Sequence, residues 1–199
     1  MTTFTFPDIV PTNVAWELQS NIVQYPSPIS GTIQTQDRGG EYWRVRMQFN
    51  NLRGDEKAEL KAFLVKLNGQ QHRFTLHDYS QIQRGAFGGT PLVFGAGQTG
   101  TLLQIDGCTP SITGWIKAGD YFSVDGRLKM AVADKASSVG GFLTIDFVPR
   151  IVTAPANNEP IITTAPTGTF MLANTVNGWL NDPGDFGQFT IEAFEDILA

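Results

Sequence analysis

The chain alternates short runs of apolar and polar residues with turn residues, and the clearest run spans residues 42–49. Large apolar side chains occupy every second position of this run, namely Trp43, Val45, Met47 and Phe49, with Arg44, Arg46 and Gln48 between them. A period of two places successive side chains on opposite faces of a β-strand. The pattern therefore predicts a strand with one buried face.

Two further strands are predicted ahead of this run. Ser30–Gln36 is expected to pair with the strand at 42–49 through a turn at Asp37–Gly40, because Asp and Gly favour tight turns. An earlier strand carries Trp16, Leu18 and Ile22. We expect it to end at Tyr25-Pro26-Ser27-Pro28, since closely spaced prolines cannot donate to a sheet ladder.

One amphipathic helix is predicted over about residues 53–67. Its apolar stripe has the i, i+3, i+4, i+7 spacing and consists of Leu60, Phe63, Leu64 and Leu67. Asn51 or Asp55 is expected to cap the first turn, and Asn68-Gly69 to end the helix. The helix dipole accounts for the carboxylates of the first turns, Asp55, Glu56 and Glu59. We expect the stripe to pack across the sheet.

The remainder of the chain predicts more short strands. Asp125-Gly126 between two apolar runs indicates a type I′ hairpin, and the glycine-rich stretch Gln83–Gly100 is predicted to be a long irregular loop. The other expected strands are Arg73–Leu76, Leu102–Ile105, Tyr121–Val124, Arg127–Val132, a run from Phe142 that Pro149 ends, Phe170–Ala173, Trp179–Leu180 and Phe189–Phe194.

These elements predict a mainly β protein. We expect an antiparallel β-sandwich or barrel with one packed α-helix and a β-rich C-terminal segment. The expected organisation is a core domain over residues 1–150, a proline-rich connector over 151–168, and C-terminal strands over 169–199 that pack on the core or on a neighbouring subunit.

Composition and charge exclude several classes of protein. The net charge is −5 and Lys and Arg do not cluster, so we expect no specific nucleic-acid binding. No apolar run approaches 18 residues, and residues 1–13 lack the features of a secretory signal, so no membrane insertion is expected. The single Cys108 fits assembly in a reducing cytoplasm. Charged residues make up only 17%, which suggests that much of the surface contacts something other than water.

Candidate chemistry is sparse. Gly95-Ala-Gly97-Gln-Thr-Gly100 matches a dinucleotide-binding motif, but β-prone residues follow where that motif needs a helix, which favours a flexible loop. His72 and His77 are five residues apart and would point to opposite faces of one strand, which is wrong for a shared metal. We predict no catalytic, cofactor-binding or metal-binding residues, and therefore no enzyme.

Two groups of residues at other positions have structural and functional interpretations. Glu192, Glu195 and Asp196 are interpreted as a solvated strand edge rather than an acid–base pair. The four tryptophans could form an exposed sugar-binding platform, although core positions are favoured: Trp16, Trp43, Trp115 and Trp179.

Several segments of the chain share a pattern of packing and turn motifs. They are Trp16-Glu-Leu-Gln-Ser-Asn21, Tyr25-Pro-Ser-Pro-Ile-Ser-Gly-Thr-Ile-Gln-Thr35, Gly40-Glu-Tyr-Trp43, Asn51-Leu-Arg-Gly-Asp-Glu56, Leu60-Lys-Ala-Phe-Leu64, Leu67-Asn-Gly69, Ile116-Lys-Ala-Gly-Asp-Tyr-Phe122, Phe170-Met-Leu-Ala173, Trp179 and Phe189-Thr-Ile-Glu-Ala193. Together these segments, over about residues 14–195, resemble the distal tail-type structural proteins of long, non-contractile-tailed bacteriophages.

This resemblance implies a virion structural protein of the phage tail. Such proteins form β-rich rings, typically hexamers, at the baseplate or tail tip, where the ring joins the tail tube protein to the hub protein and carries receptor-binding or fibre proteins for host attachment. A tail tube or tail-terminator subunit is the nearest alternative, and a β-sandwich glycan-binding module is the second. The apolar residues of the 83–100 loop are the predicted subunit contacts: Phe87, Leu92, Val93 and Phe94.

Overall fold

The structure is a computed structural model that describes residues 1–176 and 178–197. The elements within these residues are β1 (Thr3–Thr5), β2 (Asn13–Gln19), β3 (Ile22–Pro26), β4 (Ile33–Asp37), β5 (Tyr42–Leu52), α1 (Gly54–Leu67), β6 (Arg73–His77), β7 (Gly89–Val93), β8 (Gly100–Cys108), β9 (Tyr121–Val124), β10 (Arg127–Ala131), β11 (Leu143–Ile151), β12 (Thr167–Leu172), β13 (Trp179–Asp182) and β14 (Phe186–Glu195).

The described strands form three sheets. The first sheet has seven strands in the order β1-β6-β12-β14-β5-β2, with β13 paired to β14, and only β1 and β6 run parallel. The second sheet has five antiparallel strands in the order β7-β8-β11-β10-β9. The third consists of β3 and β4 alone. The prediction of a mainly β fold with one helix is confirmed. No helix in the described residues is long and apolar enough to cross a bilayer.

Strand β5 organises the first sheet. It pairs with β14 on one side and β2 on the other, and the predicted apolar face is buried along its length, at Trp43, Val45, Met47 and Phe49. The helix α1 covers this face with its own stripe, Leu60, Phe63, Leu64 and Leu67, all buried in the same cluster. Burial of each such side chain contributes about 1.5–3 kcal/mol. Both periodicity predictions are confirmed.

The helix cap differs from the prediction. Asn51 lies inside β5, and the N-cap residue is Arg53, which makes no side-chain capping bond. A carboxylate from the β13–β14 turn lies at this end instead: Asp185 accepts a hydrogen bond of 2.8 Å from Lys57 Nζ. Lys57, and then the backbone N–H of Gly54, hold the pKa of Asp185 below its ordinary value. The predicted caps were wrong because the group at the helix start comes from a distant part of the chain.

The segment 30–36 was assigned the wrong partner. Strand β4 pairs with β3, from Pro26↔Ile33 to Ile22↔Asp37, and not with β5. The turn of this hairpin lies at residues 27–32. Gly39 and Gly40 both have positive φ, of 69° and 78°, and they bend the chain out of the hairpin before β5 begins.

The glycine-rich stretch 83–100 contains strand β7, so the prediction of one long irregular loop was wrong. Gly89 has φ +85° and lies so close to β8 that a Cβ there would be 2.2 Å from the Gly107 oxygen. Glycine at this position allows two backbones to approach closely, rather than making the segment mobile.

Strand β11 continues beyond Pro149, which was predicted to end it. Its register with β8 shifts between Asp146 and Ile151, and its pairs with β10 are at Phe147 and Val148. Pro149 belongs to neither set of pairs, so its missing N–H interrupts no ladder. The Asp125-Gly126 hairpin between β9 and β10 is as predicted, with φ of 52° and 68°.

The buried side chains form two clusters, and neither cluster begins or ends at the predicted domain boundaries, residues 150 and 168. The division into a core domain, a connector and C-terminal strands stays a prediction. One cluster lies between α1 and the first sheet, and the other lies within the second sheet. The segment 151–168 is bonded to the second sheet, where Ile161 N donates to the Pro91 oxygen and Ile162 N to the Ser123 oxygen. Strands β12 and β14 lie in the middle of the first sheet.

A buried junction, consisting of Trp43, Leu128, Lys129 and Glu195, joins the two large sheets. The Glu195 carboxylate accepts from Leu128 N at 2.9 Å and Trp43 N at 3.4 Å, and Trp43 Nε1 donates to the Leu128 oxygen at 3.0 Å. Glu195 is only 3% exposed, so its interpretation as a solvated edge residue was wrong. Burial raises the pKa of Glu195, although nearby Lys129 opposes this effect.

Lys129 brings a second charge into this junction. Its side chain is 2% exposed, and its Nζ donates to the Arg150 oxygen at 3.1 Å. Burial lowers the pKa of Lys129 to about 8, against the favourable field of Glu195 and with a further lowering by Arg127. Removal of a group that binds a buried charge is costly, because the charge is then left without compensation.

The helix–sheet interface predicts a large difference between two neighbouring substitutions. Leu64 is 4% exposed and Val65 is 68% exposed. Leu64→Asp buries an unpaired charge and should lower the free energy of unfolding by more than about 4 kcal/mol. Val65→Asp should lower it by less than about 1 kcal/mol. Chemical denaturation of both variants measures this, and equal effects would mean that the buried face is misassigned.

The low pKa of Lys129 predicts that the contribution of this residue to stability rises with pH above 8. Between pH 8 and 10.5 the folded chain binds fewer protons at this lysine than the unfolded chain does, so the contribution of Lys129 to the free energy of unfolding should increase by about 1 kcal/mol per pH unit. Denaturation of the wild type and Lys129→Met between pH 7.5 and 9.5 isolates this contribution as the difference between the two slopes. The exposed Lys66→Met is the control and should keep the wild-type slope.

Candidate assembly surface

The hairpin formed by residues 22–37, here called the arm, stands outside both large sheets. Its strands β3 and β4 pair only with each other among the described residues. Nearly all of its side chains are exposed, including the large apolar ones of Ile22, Tyr25, Ile29 and Ile33. A lone two-stranded hairpin is marginally stable in water, and these groups form an exposed apolar surface of the kind that marks an interaction site.

The tip of the arm is ordered by its own hydrogen bonds. Ser27 N donates to the Thr32 oxygen at 2.8 Å, and the Ser27 hydroxyl accepts from the backbone N–H groups of Ile29 and Ser30 at 3.4 and 3.3 Å. This loop presents Ile29 with 96% of its surface exposed. A preformed loop loses little conformational freedom on binding, so Ile29 is suited to anchor a contact.

The arm carries no charge between residues 20 and 36. Its polar side chains are hydroxyls and amides, and the first charge is Asp37 at its base. Insertion of the arm into an apolar surface therefore requires no desolvation of a charged group, which would be expensive.

Arg150, at the end of β11, holds the base of the arm. Its guanidinium is paired with Asp37 and contacts Glu41, with Nη2 3.1 Å from Glu41 Oε1 and Nε 3.2 Å from Oε2. The Gly39 backbone N–H, and then Arg150, lower the pKa of Asp37, and Glu41 raises the pKa of Arg150. A Cβ at Gly39 would lie 3.1 Å from Arg150 Nη1, so a glycine leaves room for the guanidinium.

A free sheet edge lies beside the arm. Strand β2 ends the first sheet and continues through two residues into β3. It has seven residues and contains neither proline nor lysine. Proteins use these two residue types to block an edge strand from pairing with another chain. Its outer edge is thus able to accept a strand from a neighbour.

The predicted contact residues of the second sheet occupy different environments. Phe94 is 46% exposed, Phe87 packs on Trp115 with ring centroids 5.3 Å apart, and Leu92 is half-buried. Val93 is completely buried in the second cluster, which leaves it no surface for a neighbour, so its assignment was wrong. Side chains on a strand alternate between its two faces, so a prediction of β7 as a strand would have placed Val93 on the face opposite to Leu92 and Phe94.

Phe94 belongs to a second apolar area on the outer face of the five-stranded sheet. Its ring meets Phe142 edge to face at 5.1 Å, and the two residues border a cavity of about 390 Å³. Leu102 and Val132 extend this face on either side of Asp146, which is paired with Lys135.

The other candidate sites receive structural explanations. Gly95–Gly100 leads into strand β8 and not into a helix, so this segment lacks the helix N-terminus that a dinucleotide needs. His72 Nδ1 accepts from Thr2 N, and the His77 ring packs on the Tyr79 ring at a tilt of 47°. No cluster of three or more His, Cys, Asp or Glu residues suited to a metal occurs in residues 1–176 and 178–197.

The tryptophans do not form an exposed platform. Trp43 and Trp115 are buried, and Trp16 and Trp179 are half-buried against the first cluster. The core interpretation is therefore confirmed for Trp43 and Trp115.

No protein-family model matches the chain, and no curated protein matches it in sequence.

The Arg150 contacts predict that this residue fixes the arm on the body of the subunit. Arg150→Gln should raise the hydrogen-exchange rates of backbone amides at the base of the arm by roughly three- to tenfold, because the ion pairs to Asp37 and Glu41 are lost. Arg46→Gln removes an exposed ion pair to Glu192 within the first sheet and should leave those rates unchanged. Unchanged exchange in Arg150→Gln would contradict this role.

Proposed function

We propose that this chain is a ring-forming structural subunit of a bacteriophage tail, located at the distal end of the tail. In this role it joins the tail tube to the tail-tip hub and carries receptor-binding or fibre proteins. The ring is a homo-oligomer, with six copies as the expected number, assembled in the host cytoplasm and incorporated into the virion.

The observation that carries this proposal is the arm. It is a hairpin without charged residues from 22 to 36, with exposed apolar side chains, a hydrogen-bonded tip and an ion-paired base, and the free β2 edge lies next to it. A contact between this arm and a different patch on the next copy is heterologous, and heterologous contacts close into a ring when the rotation between copies permits it.

The phage-tail part of the proposal rests on the resemblance in sequence. The segment Tyr25–Thr35, which carries much of that resemblance, covers most of the arm. The net charge of −5 fits a ring through which DNA must pass without adhering. A tail tube or tail-terminator subunit would use the same kind of contact, so location in the virion is needed to distinguish these roles.

A catalytic role has less support. The buried ionisable groups hold the backbone in place: the Asp120 carboxylate accepts from the N–H groups of Arg84, Gly85 and Lys117, each at 2.8 Å. Burial and the nearby Asp106 raise the pKa of Cys108 to about 12, so its thiol is a poor nucleophile. These groups account for structure, and we propose that the protein is not an enzyme.

The arm predicts a substitution that prevents assembly without unfolding the subunit. Ile29→Asp places a charge at the tip, where it should abolish ring formation because the charge would have to be desolvated in the contact. The unfolding temperature should stay at the wild-type value, since Ile29 is 96% exposed and its side chain adds almost no buried surface within the chain. Native mass spectrometry with the tail tube and hub proteins present, together with thermal unfolding, measures both effects.

The matched control is Val139→Asp. Val139 is 85% exposed in a loop of the second sheet, so the same type of change is made away from the arm. This variant should assemble as the wild type does. If Ile29→Asp forms rings normally, the arm is not the assembly contact. Immunogold labelling of virions then distinguishes a tail-tip ring from a tube or terminator subunit.

A further inference from the structure

The cavity on the outer face of the five-stranded sheet is bordered by two exposed aromatic rings. It has a volume of about 390 Å³, and Phe94 and Phe142 both line it, with their rings edge to face at 5.1 Å. The two side chains are 46% and 47% exposed. Adjacent exposed apolar side chains, unlike isolated ones, mark a surface that binds a partner.

Strand pairing places polar groups beside these rings. Phe94 N donates to the Gln104 oxygen at 2.9 Å, and Gln104 is paired with Thr144 of β11, so these three residues form a row across three strands. The next row contains Leu102, which is 52% exposed, opposite Asp146. Side chains at alternate positions share a face, so the two rows belong to one surface. This surface combines apolar groups with an amide and a hydroxyl.

The charge on this surface is balanced. Among the described lining residues of the cavity, Lys135 is the one ionisable side chain, and its ammonium group is paired with Asp146 in the neighbouring row. A charged partner would lose its own hydration here and would find no unpaired opposite charge. An apolar partner without charge loses no such hydration, so it fits the cavity better.

The tip of the arm is such a partner. Residues 22–36 carry no charge, and Ile29 projects with 96% of its surface exposed from a loop that is held by its own hydrogen bonds. The hydroxyls of Ser30 and Thr32 lie beside it, 2.7 Å from each other, and they match the amide and hydroxyl of the cavity. An apolar anchor in a pocket with polar groups around it is the usual anatomy of a protein contact.

This contact joins two copies of the chain. Within one copy, Arg150 holds the base of the arm and Ile29 is exposed, so the tip does not occupy the cavity of its own chain. The tip and the cavity are different surfaces, and each copy therefore offers one donor and one acceptor. A contact of this type is heterologous and closes into a ring when the rotation between copies permits it.

We infer that the cavity beside Phe94 and Phe142 is the acceptor for the arm of the next copy, with Ile29 of that copy seated against the two rings. This inference rests on the proposed assembly through the arm, and it adds the surface to which the arm binds. It also gives a role to Phe94, which the sequence predicted to be a subunit contact.

The test is oxidative cross-linking of the full chain with cysteines at both sides of the contact. In Ile29→Cys/Phe142→Cys each copy should form a disulfide with the next one, so that mild oxidation gives a ladder of covalent oligomers beyond the dimer on a non-reducing gel. Ile29→Cys alone should form at most dimers, since each copy then carries one reactive thiol. Cys108 is buried and its pKa is raised to about 12, so it should not react.

The matched control is Ile29→Cys/Val65→Cys, which places the second cysteine on the exposed face of α1 and should give no ladder. If Ile29→Asp blocks ring formation but the Ile29→Cys/Phe142→Cys pair forms no ladder, the arm binds elsewhere and only this inference is overturned. Efficient dimer formation by Phe142→Cys alone would mean that the cavity faces a second cavity, which also overturns it. If the wild type forms no rings, the proposed function fails as well.

A substitution in the acceptor gives a second measurement. Phe94→Ser should raise the protein concentration needed for ring formation by about tenfold, as expected when an anchor loses its pocket, while the unfolding temperature shows that the chain still folds. Leu180→Ser, at an exposed position of the first sheet, should assemble as the wild type does. Val139 does not line the cavity, so normal assembly of Val139→Asp agrees with this contact. Normal assembly of Phe94→Ser would contradict it.

Discussion

A two-stranded hairpin cannot bury its own apolar side chains, and for this reason the apolar side chains of the arm are exposed. Side chains on both faces of an isolated hairpin meet water unless another surface covers them. Ile22, Tyr25 and Ile33 have no core to pack against within the described residues, and Ile29 projects from the tip. In the ring that we propose, a second copy covers these residues.

The body of the subunit holds the arm from two directions. Strands β2 and β5 connect it to the first sheet, and Arg150 connects it to the second through Asp37 and Glu41. The backbone of Arg150 is in turn held by Lys129, within the junction where Glu195 binds two backbone N–H groups. The direction of the arm therefore depends on both sheets, which gives the buried charges a structural role despite their cost in desolvation.

Local patterns in the sequence were sufficient to predict β5, α1 and the Asp125-Gly126 hairpin, because each is fixed by periodicity or by a turn that needs positive φ. The errors concern groups that meet across long stretches of chain. The partner of β4 depends on the bend at Gly39-Gly40, and the burial of Glu195 depends on amides at Trp43 and Leu128. Such contacts leave no periodic signal.

The candidate sites show the same limit. Phe94 was predicted to be a surface contact and is exposed. The buried Val93 was predicted to be a contact as well, because β7 was interpreted as a loop and the alternation of its faces was not considered. The arm was overlooked as a contact because Ile29 and Ile33 are ordinary strand and turn residues in sequence. Only the tertiary structure reveals that no core covers them.

We propose that the subunit assembles into a closed ring through its arm, and electron cryomicroscopy of the assembled protein would show where each arm lies. Purified chain, concentrated alone and mixed with tail tube and hub proteins, would be imaged and classified without imposed symmetry. We expect ring-shaped particles with sixfold symmetry, in which each arm lies on the adjacent copy. Particles that remain single subunits under both conditions, or rings in which the arm points into solvent, would disprove the proposal.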